Sequence, residues 1–213
     1  MFTDIPLFDG LSPEEIKTIS AHAKIRTTKK HQSILAKGDA TDSLYVVLKG
    51  RLKVFIADNE GKEVILAFLD EGDYFGELAL LDQEPRSASV MTTEETKLAH
   101  ICRADFQKVL STNHQIALNL LATLARRNRL LAGNVGNLAL LDVYGRVAKA
   151  LLSQAKTKNG MLITEKMTHQ EIANLAGSSR EMVSKIIKEL KFGGYISIVE
   201  KRIIINTKLP ARW

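Results

Sequence analysis

The sequence predicts an α+β protein in three parts: a roll of short strands, one long amphipathic helix, and a small helical domain that closes in a β-hairpin. Three observations predict it. From about Ile25 to Arg103, apolar and β-branched residues recur with period two between regularly spaced glycines. From Asn113 to about Leu141, apolar residues step by four and three with no proline. From Thr168 to Leu190, two short capped helices meet at Gly177.

In chain order, Ser12, Pro13, Glu14 and Glu15 open a helix that runs to about Ala23, with proline at its first position and acids in its first turn. The strands follow. Ser43 to Lys49 is one, Arg51 to Ala57 alternates strictly, Asp58 to Gly61 is a hairpin turn, and Glu63 to Leu69 returns. Ala88 to Thr92 and Lys97 to Cys102 complete the set. Gly38, Gly50, Gly61 and Gly72 punctuate at roughly eleven-residue spacing, which suits a jelly roll. Cys102, the single cysteine, reads as a small buried hydrophobe and excludes both an internal disulfide and a cysteine cluster.

In the long helix, Ala117, Leu121, Leu124, Asn128, Leu131, Val135 and Leu138 form a heptad seam, which makes this a dimerisation helix. Its one polar member, Asn128, is a device that fixes register in a parallel two-stranded pair. Leu120, Leu130 and Leu141 lie off the seam and are expected to pack on the chain's own roll. Gly133 and Gly136 each weaken the helix by about 1 kcal/mol relative to alanine and point to a bend nearby.

Asp142 to Ala155 is a further amphipathic helix, and Lys156 to Gly160 a polar loop. Thr168 and Glu171 form a capping box for the first helix of the pair, and Gly177 ends it. Ser178 or Ser179 caps the second helix, whose apolar face is Met182, Val183, Ile186, Ile187 and Leu190. Arg180, Glu181, Ser184 and Lys185 fall on the other face. Gly193 and Gly194 then lead into a hairpin, Tyr195 to Val199 and Ile203 to Asn206, with Glu200, Lys201 and Arg202 at its tip. Together these segments read as a winged helix-turn-helix. The expected domains are 1–112, 113–141 and 142–213.

Charge supports a nucleic-acid partner. The chain carries a net +6. Residues 139–213 hold 13 Lys and Arg against 6 Asp and Glu, whereas residues 1–138 hold 17 against 18, so the excess sits entirely in the C-terminal third. No apolar run of about 18 residues is present, so no membrane span is expected. The N-terminus lacks a basic-then-apolar leader, and the cytoplasm is the expected compartment. The five histidines show no metal-ligand spacing, and no metal is expected. No paired acid and base mark the chain as an enzyme.

The order of roll, seam helix and winged helix-turn-helix resembles the cyclic-AMP receptor protein and fumarate–nitrate regulator family of bacterial transcription factors, over nearly the whole chain. Gly72-Asp-Tyr-Phe-Gly-Glu-Leu-Ala-Leu-Leu-Asp-Gln-Glu-Pro-Arg-Ser-Ala-Ser-Val90 is similar to the family's phosphate-binding cassette, Gly177 to Lys185 to its recognition helix, and Val135 to Asp142 to the end of its dimer helix. The resemblance implies a homodimer that binds a palindromic double-stranded DNA operator, contacts RNA polymerase, and answers to a cyclic nucleotide such as cyclic AMP. In that reading the amides of Gly76, Glu77, Leu78 and Ala79 cradle a phosphate, Arg86 and Ser87 bond to it, and Glu77 accepts from a ribose hydroxyl. The alternative is an ion pair of Glu77 with Arg86 in an unoccupied roll, hence a ligand-independent regulator. Family members that bind cyclic AMP use adjacent Thr and Ser hydroxyls of the long helix to read adenine. Leu131 and Ala132 stand there and cannot hydrogen-bond, which leaves cyclic di-GMP open as the signal. The implied DNA contacts are Ser178, Ser179, Arg180, Glu181, Ser184 and Lys185, with Thr168, His169 and Gln170 at the start of the first helix and Lys201 at the wing tip. Lys185 replaces the family's Arg, and an ammonium cannot fork onto guanine as a guanidinium does.

Overall fold

The structure is a computed structural model that describes residues 2, 5–40, 42–158 and 160–210. Two compact units emerge: residues 1–56 with 66–129, and residues 57–65 with 130–213.

In the first unit, a 3-10 turn (Pro6–Phe8) and helix α1 (Pro13–His22) precede strands β1 (Lys24–Thr28), β2 (Ser33–Leu35), β3 (Ser43–Lys49), β4 (Leu52–Ala57), β5 (Glu63–Leu69) and β6 (Tyr74–Phe75), with the end of β4 and the start of β5, between Ala57 and Ile65, counted to the second unit. The short helix α2 (Leu78–Leu81), strands β7 (Ser89–Thr92) and β8 (Thr96–Cys102), and helix α3 (Arg103–Thr112) follow. One sheet has the order β1-β8-β3-β6 and the other β2-β7-β4-β5. This is the expected jelly roll. Its register brings distant residues together, with Lys24 opposite His100 and Leu44 opposite Ile101.

Strand β3 is covered on both faces. Leu44 and Val46 join Phe2, Leu7, Phe8, Ala99, Ile101, Phe106, Ile116 and Leu120 in a cluster under the helices. Val47 joins Leu35, Leu52, Leu69, Phe75, Val90 and Leu98 in a cluster that draws on strands of both sheets. That explains why Leu44 to Leu48 reads as a continuous apolar run rather than an alternation. The capping box of α1 is present, with Ser12 accepting from the Glu15 N–H and Glu15 accepting from the Ser12 N–H.

Helix α4 (His114–Leu140) runs through both glycines without a break, so the chain turns at Leu141–Asp142 instead of at Gly133 or Gly136. A helical glycine costs little where the flanking turns remain hydrogen-bonded. Leu120 packs on the roll as expected, but Leu130 is exposed. Cys102 is half-buried, not core: it is the N-cap residue of α3, and its thiol donates to Asp105 at 2.9 Å.

The second unit comprises α5 (Val143–Gln154), β9 (Ala155–Lys158), β10 (Met161–Thr164), α6 (His169–Ala176), α7 (Arg180–Phe192), β11 (Ile196–Val199) and β12 (Arg202–Ile205). Its sheet has the order β11-β12-β10-β9. Lys156 to Lys158, expected in a loop, form an edge strand; edge strands carry lysines because charge discourages further pairing. Asn159, from the same expected loop, lies outside the described residues, as do Met1, Thr3 and Asp4 of the expected leaderless N-terminus. No helix among the described residues is long and apolar enough to cross a membrane.

Candidate functional sites

The first site is the segment from Tyr74 to Ser87. Gly76 sits at φ +88°, and a Cβ there would stand 2.7 Å from Arg86 Nη1 and 2.8 Å from the Ser43 carbonyl oxygen, so only glycine fits. After it the chain turns into α2, whose first N–H groups, those of Glu77, Leu78 and Ala79, donate to no group among the described residues. Arg103 donates to the Ala79 carbonyl at 2.9 Å, which holds the other end of this short helix.

Arg86 is 4% exposed. It donates to the Gly76 carbonyl at 2.6 Å and the Ser43 carbonyl at 2.8 Å. Burial works against its charged form, and the Tyr45 phenol, Glu77 and Asp42 offset part of that effect. Ser87 is exposed beside Arg86. Next to Arg86, Tyr45 stacks on Phe75 at 5.1 Å.

Glu77 is 3% exposed, and its partner is not Arg86 but Arg127 of α4, at 2.6 Å. Arg127 also donates to the Tyr74 carbonyl at 2.5 Å, and its guanidinium lies over the Tyr74 ring. Burial pushes the Tyr74 phenol above the ordinary tyrosine value, with Thr123 and Arg127 pulling the other way. Nothing in the sequence pattern singles out Arg127, whose partner Glu77 lies fifty residues away. Leu131 and Ala132 follow it by one helical turn and are exposed, as are Leu121, Asn128, Val135 and Leu138; Ala117 and Leu124 are half-buried.

The second site is the helix pair. Thr168 caps α6, accepting from the Glu171 N–H at 3.1 Å and donating to the Glu171 carboxylate at 2.9 Å, so its hydroxyl is committed within the capping box. Gly177 is left-handed, at φ 58°. Arg146 of α5 clamps this turn by donating to the Ala176 carbonyl at 2.8 Å. Ser179, not Ser178, caps α7, accepting from the Met182 N–H. Val183, Ile186, Ile187 and Leu190 are buried, whereas Met182 is half-exposed at the border of the apolar face.

Arg180, Glu181 and Lys185 are exposed, and Ser178 and Ser184 half-buried. The Glu181 carboxyl is held below its ordinary range by its own N–H and the Ser179 hydroxyl, which keeps it an acceptor. Gln170 donates to Asn174 at 2.8 Å, and Asn174 to Glu63 at 3.3 Å. His169 bonds to Ser184 across the helix pair, Nδ1 to Oγ, at 2.8 Å, a contact between residues fifteen apart that no sequence period suggests.

The wing tip is a turn with Glu200 and Lys201 both at positive φ, the geometry of a tight hairpin. Lys201 is exposed, and its carbonyl accepts from the Met167 N–H at 3.0 Å. The wing is tied to its neighbours by Glu165, which bonds to Lys158 at 3.0 Å and to Arg202. Lys158 and Arg202 hold the Glu165 carboxyl down, from an ordinary 4.5 to about 2.

A depressed carboxyl stabilises the fold above its unfolded value and loses that contribution as pH falls toward the folded one. Glu165→Gln is therefore expected to lower stability near pH 7 by about 1 kcal/mol, allowing for solvent screening of a partly exposed group. The gap between wild type and variant should narrow from pH 5 toward pH 3 in thermal melts; a constant gap refutes the assignment.

Comparison with known proteins places this geometry in context. Residues 25–113 match the cyclic nucleotide-binding domain family, and residues 145–208 the Crp-like helix-turn-helix domain family. The chain is 37% identical over 190 residues to the cAMP-activated global transcriptional regulator CRP of Escherichia coli O6:H1, covering 87% of this chain and 90% of that protein. It is 33% identical over 200 residues to the cAMP-activated global transcriptional regulator Vfr of Pseudomonas aeruginosa, covering 90% and 94%. Among solved structures, the Thermus thermophilus catabolite activator protein is 33% identical with a TM-score of 0.58, over 94% of this chain and 93% of that one. The c-di-GMP responsive regulator CLP of Xanthomonas campestris has a TM-score of 0.81 over 92% of this chain and 100% of that one; at 23% identity it shows the shared fold alone.

Proposed function

Since this chain belongs to the Crp family of transcription regulators, which join a cyclic nucleotide-binding domain to a helix-turn-helix that binds DNA, we propose that it acts as a homodimer whose affinity for a two-fold symmetric operator is set by a cyclic nucleotide, cyclic AMP foremost, held in the roll. The observation that carries this reading is Arg86: a nearly fully buried guanidinium adjoining a left-handed glycine and a helix start whose N–H groups make no hydrogen bond among the described residues. Phosphate chemistry suits that donor set. The printed names of the relatives, cAMP-activated regulators, support the choice of nucleotide. Contact of the operator-bound dimer with RNA polymerase, and a cytoplasmic location, belong to the same reading.

The dimer rests on α4. Leu121, Val135 and Leu138 are 61%, 65% and 56% exposed in the single chain, a row of apolar side chains that a second copy would cover. Leu131 and Ala132 favour a second effector, cyclic di-GMP, because neither can donate to or accept from adenine.

The test is calorimetric titration of wild type with cyclic AMP, cyclic GMP and cyclic di-GMP, beside DNA binding and sedimentation. Arg86→Ala is expected to weaken nucleotide binding at least about thirtyfold, the worth of roughly 2 kcal/mol in charge-assisted bonds. Because Arg86 also holds two carbonyls, Arg86→Lys serves as the folded control. If no cyclic nucleotide binds the wild type, the effector reading fails; if the chain sediments as a monomer at micromolar concentration, the dimer reading fails.

A further inference from the structure

The His169–Ser184 bond joins the first residue of α6 to the fifth of α7, Nδ1 to Oγ at 2.8 Å, and both side chains are half-buried. Two observations set it apart. Several helical hydroxyls in the chain turn back onto their own helix: Thr18 to the Glu14 carbonyl at 3.0 Å, Ser20 to Ile16 at 2.7 Å, Thr112 to Lys108 at 3.0 Å. The Ser184 hydroxyl does not; a ring from the neighbouring helix takes it. The other ring nitrogen, Nε2, makes no hydrogen bond among the described residues. Ser184 lies one turn from exposed Arg180 and Lys188, half-buried at the border of the apolar face formed by Val183, Ile186 and Ile187.

We propose that His169 is a positioning residue that fixes the hydrogen-bonding polarity of Ser184 and thereby sets base choice at one position of each operator half-site. The proposal rests on α7 being the helix that enters the major groove. A neutral imidazole carries one proton, and a hydroxyl carries one. On DNA the groups surrounding a ring with a free Nε2 are phosphate oxygens, which are acceptors only, so the imidazole proton belongs on Nε2. Nδ1 is then bare and accepts from the Ser184 hydroxyl. Ser184 is left with oxygen lone pairs alone to offer the groove. Adenine N6 and cytosine N4 present amino donors there and satisfy it; guanine O6 and thymine O4 present acceptors and do not. Without the ring, the same hydroxyl turns back to its own helix or rotates freely, and the discrimination disappears.

The experiment uses the full chain and an operator selected from a randomised palindromic library in the presence of the nucleotides above, followed by single-base variants of that operator. Wild type is expected to prefer an amino-bearing over a keto-bearing base at one symmetric position by about two- to tenfold, the range of one hydrogen bond. His169→Ala and Ser184→Ala should each erase that preference, and the double variant should be no worse than either. His169→Asn, whose short amide keeps an acceptor near the place of Nδ1, should restore it. Equal weakening of every sequence by the two alanine variants, or failure of the asparagine rescue, overturns the proposal. A nitrogen NMR spectrum of histidine-labelled protein bound to the operator gives a direct readout: a protonated Nε2, and an Nδ1 signal that moves in Ser184→Ala, are expected, whereas a protonated Nδ1 overturns it. If Arg180→Ala changes specific binding and the His169 variants do not, only this proposal falls. If neither affects specific binding, the groove assignment of α7 falls with it.

Discussion

Arg127→Ala is expected to destabilise the roll by about 2–3 kcal/mol, more than any other single surface-to-alanine change in the first unit. Glu77 is almost fully buried, and Arg127 is its ion-pair partner. Removing one partner of a buried pair strands the other charge without water, which costs about 3–5 kcal/mol when both are buried. Arg127 keeps over a quarter of its side chain exposed, so the lower figure applies. The variant also loses the bond to the Tyr74 carbonyl and the cover over its ring. Glu77→Gln leaves Arg127 free to reach water and should cost about 1 kcal/mol. Urea unfolding of the two variants measures both. If Glu77→Gln costs as much as Arg127→Ala, the penalty is a lost contact and not a stranded charge.

Arg180→Ala is expected to weaken binding to the specific operator by about five- to 150-fold, equivalent to 1–3 kcal/mol, and binding to random DNA far less. Arg180 is the first residue of α7, exposed, and free of ion-pair partners that would hold it on the protein surface among the described residues. A guanidinium at the start of a helix that enters the major groove can fork onto the O6 and N7 of a guanine. Lys185, further along the same face, has only a point charge to offer and should confer looser choice at its position. Fluorescence anisotropy at fixed salt on operator and scrambled duplexes separates the two terms. Equal losses on both would reduce Arg180 to a phosphate contact.

Much of this architecture is legible in the chain because its signals are local. The capping boxes at Ser12–Glu15 and Thr168–Glu171, the left-handed Gly177 and the two-residue wing turn each need residues only a few positions apart, and all are present. Strand β4 declares itself by alternation, and β3 and β5 by apolar runs between glycines. What escaped notice lacked such a signal. Helix α3 follows β8 directly, its N-cap is a cysteine without a capping bond, and only Phe106 is fully buried, so neither cap nor periodicity announces it. Strand β9 hides behind lysines. At the candidate sites the residue types and their neighbourhoods were readable, but the partners were not. Glu77 and Arg127 are fifty residues apart, and a carboxylate in the cassette has Arg86 as its nearest candidate in sequence. Only the closed roll decides between them. His169 and Ser184 were each visible as polar groups on the helix pair, but their bond depends on the angle at which α6 and α7 pack.

The pairing of β1 with β8 also has a consequence in time. Lys24 finds its neighbour only when His100 exists. At 5–20 residues per second, a nascent first strand waits roughly 4–15 s on the ribosome with that edge open, and closing so long a loop is a slow step for the finished chain as well. In the C-terminal domain the wait is shorter: β9 meets β10 and β11 meets β12 at once, and the longest pairing, β10 with β12, joins Ile163 to Ile204. The strand that waits carries Lys24 and Arg26, with Lys29 and Lys30 directly after it, all exposed. Positive charge on an unpaired edge repels a second nascent copy of the same edge. These side chains thus guard the chain against misassembly before the roll has closed.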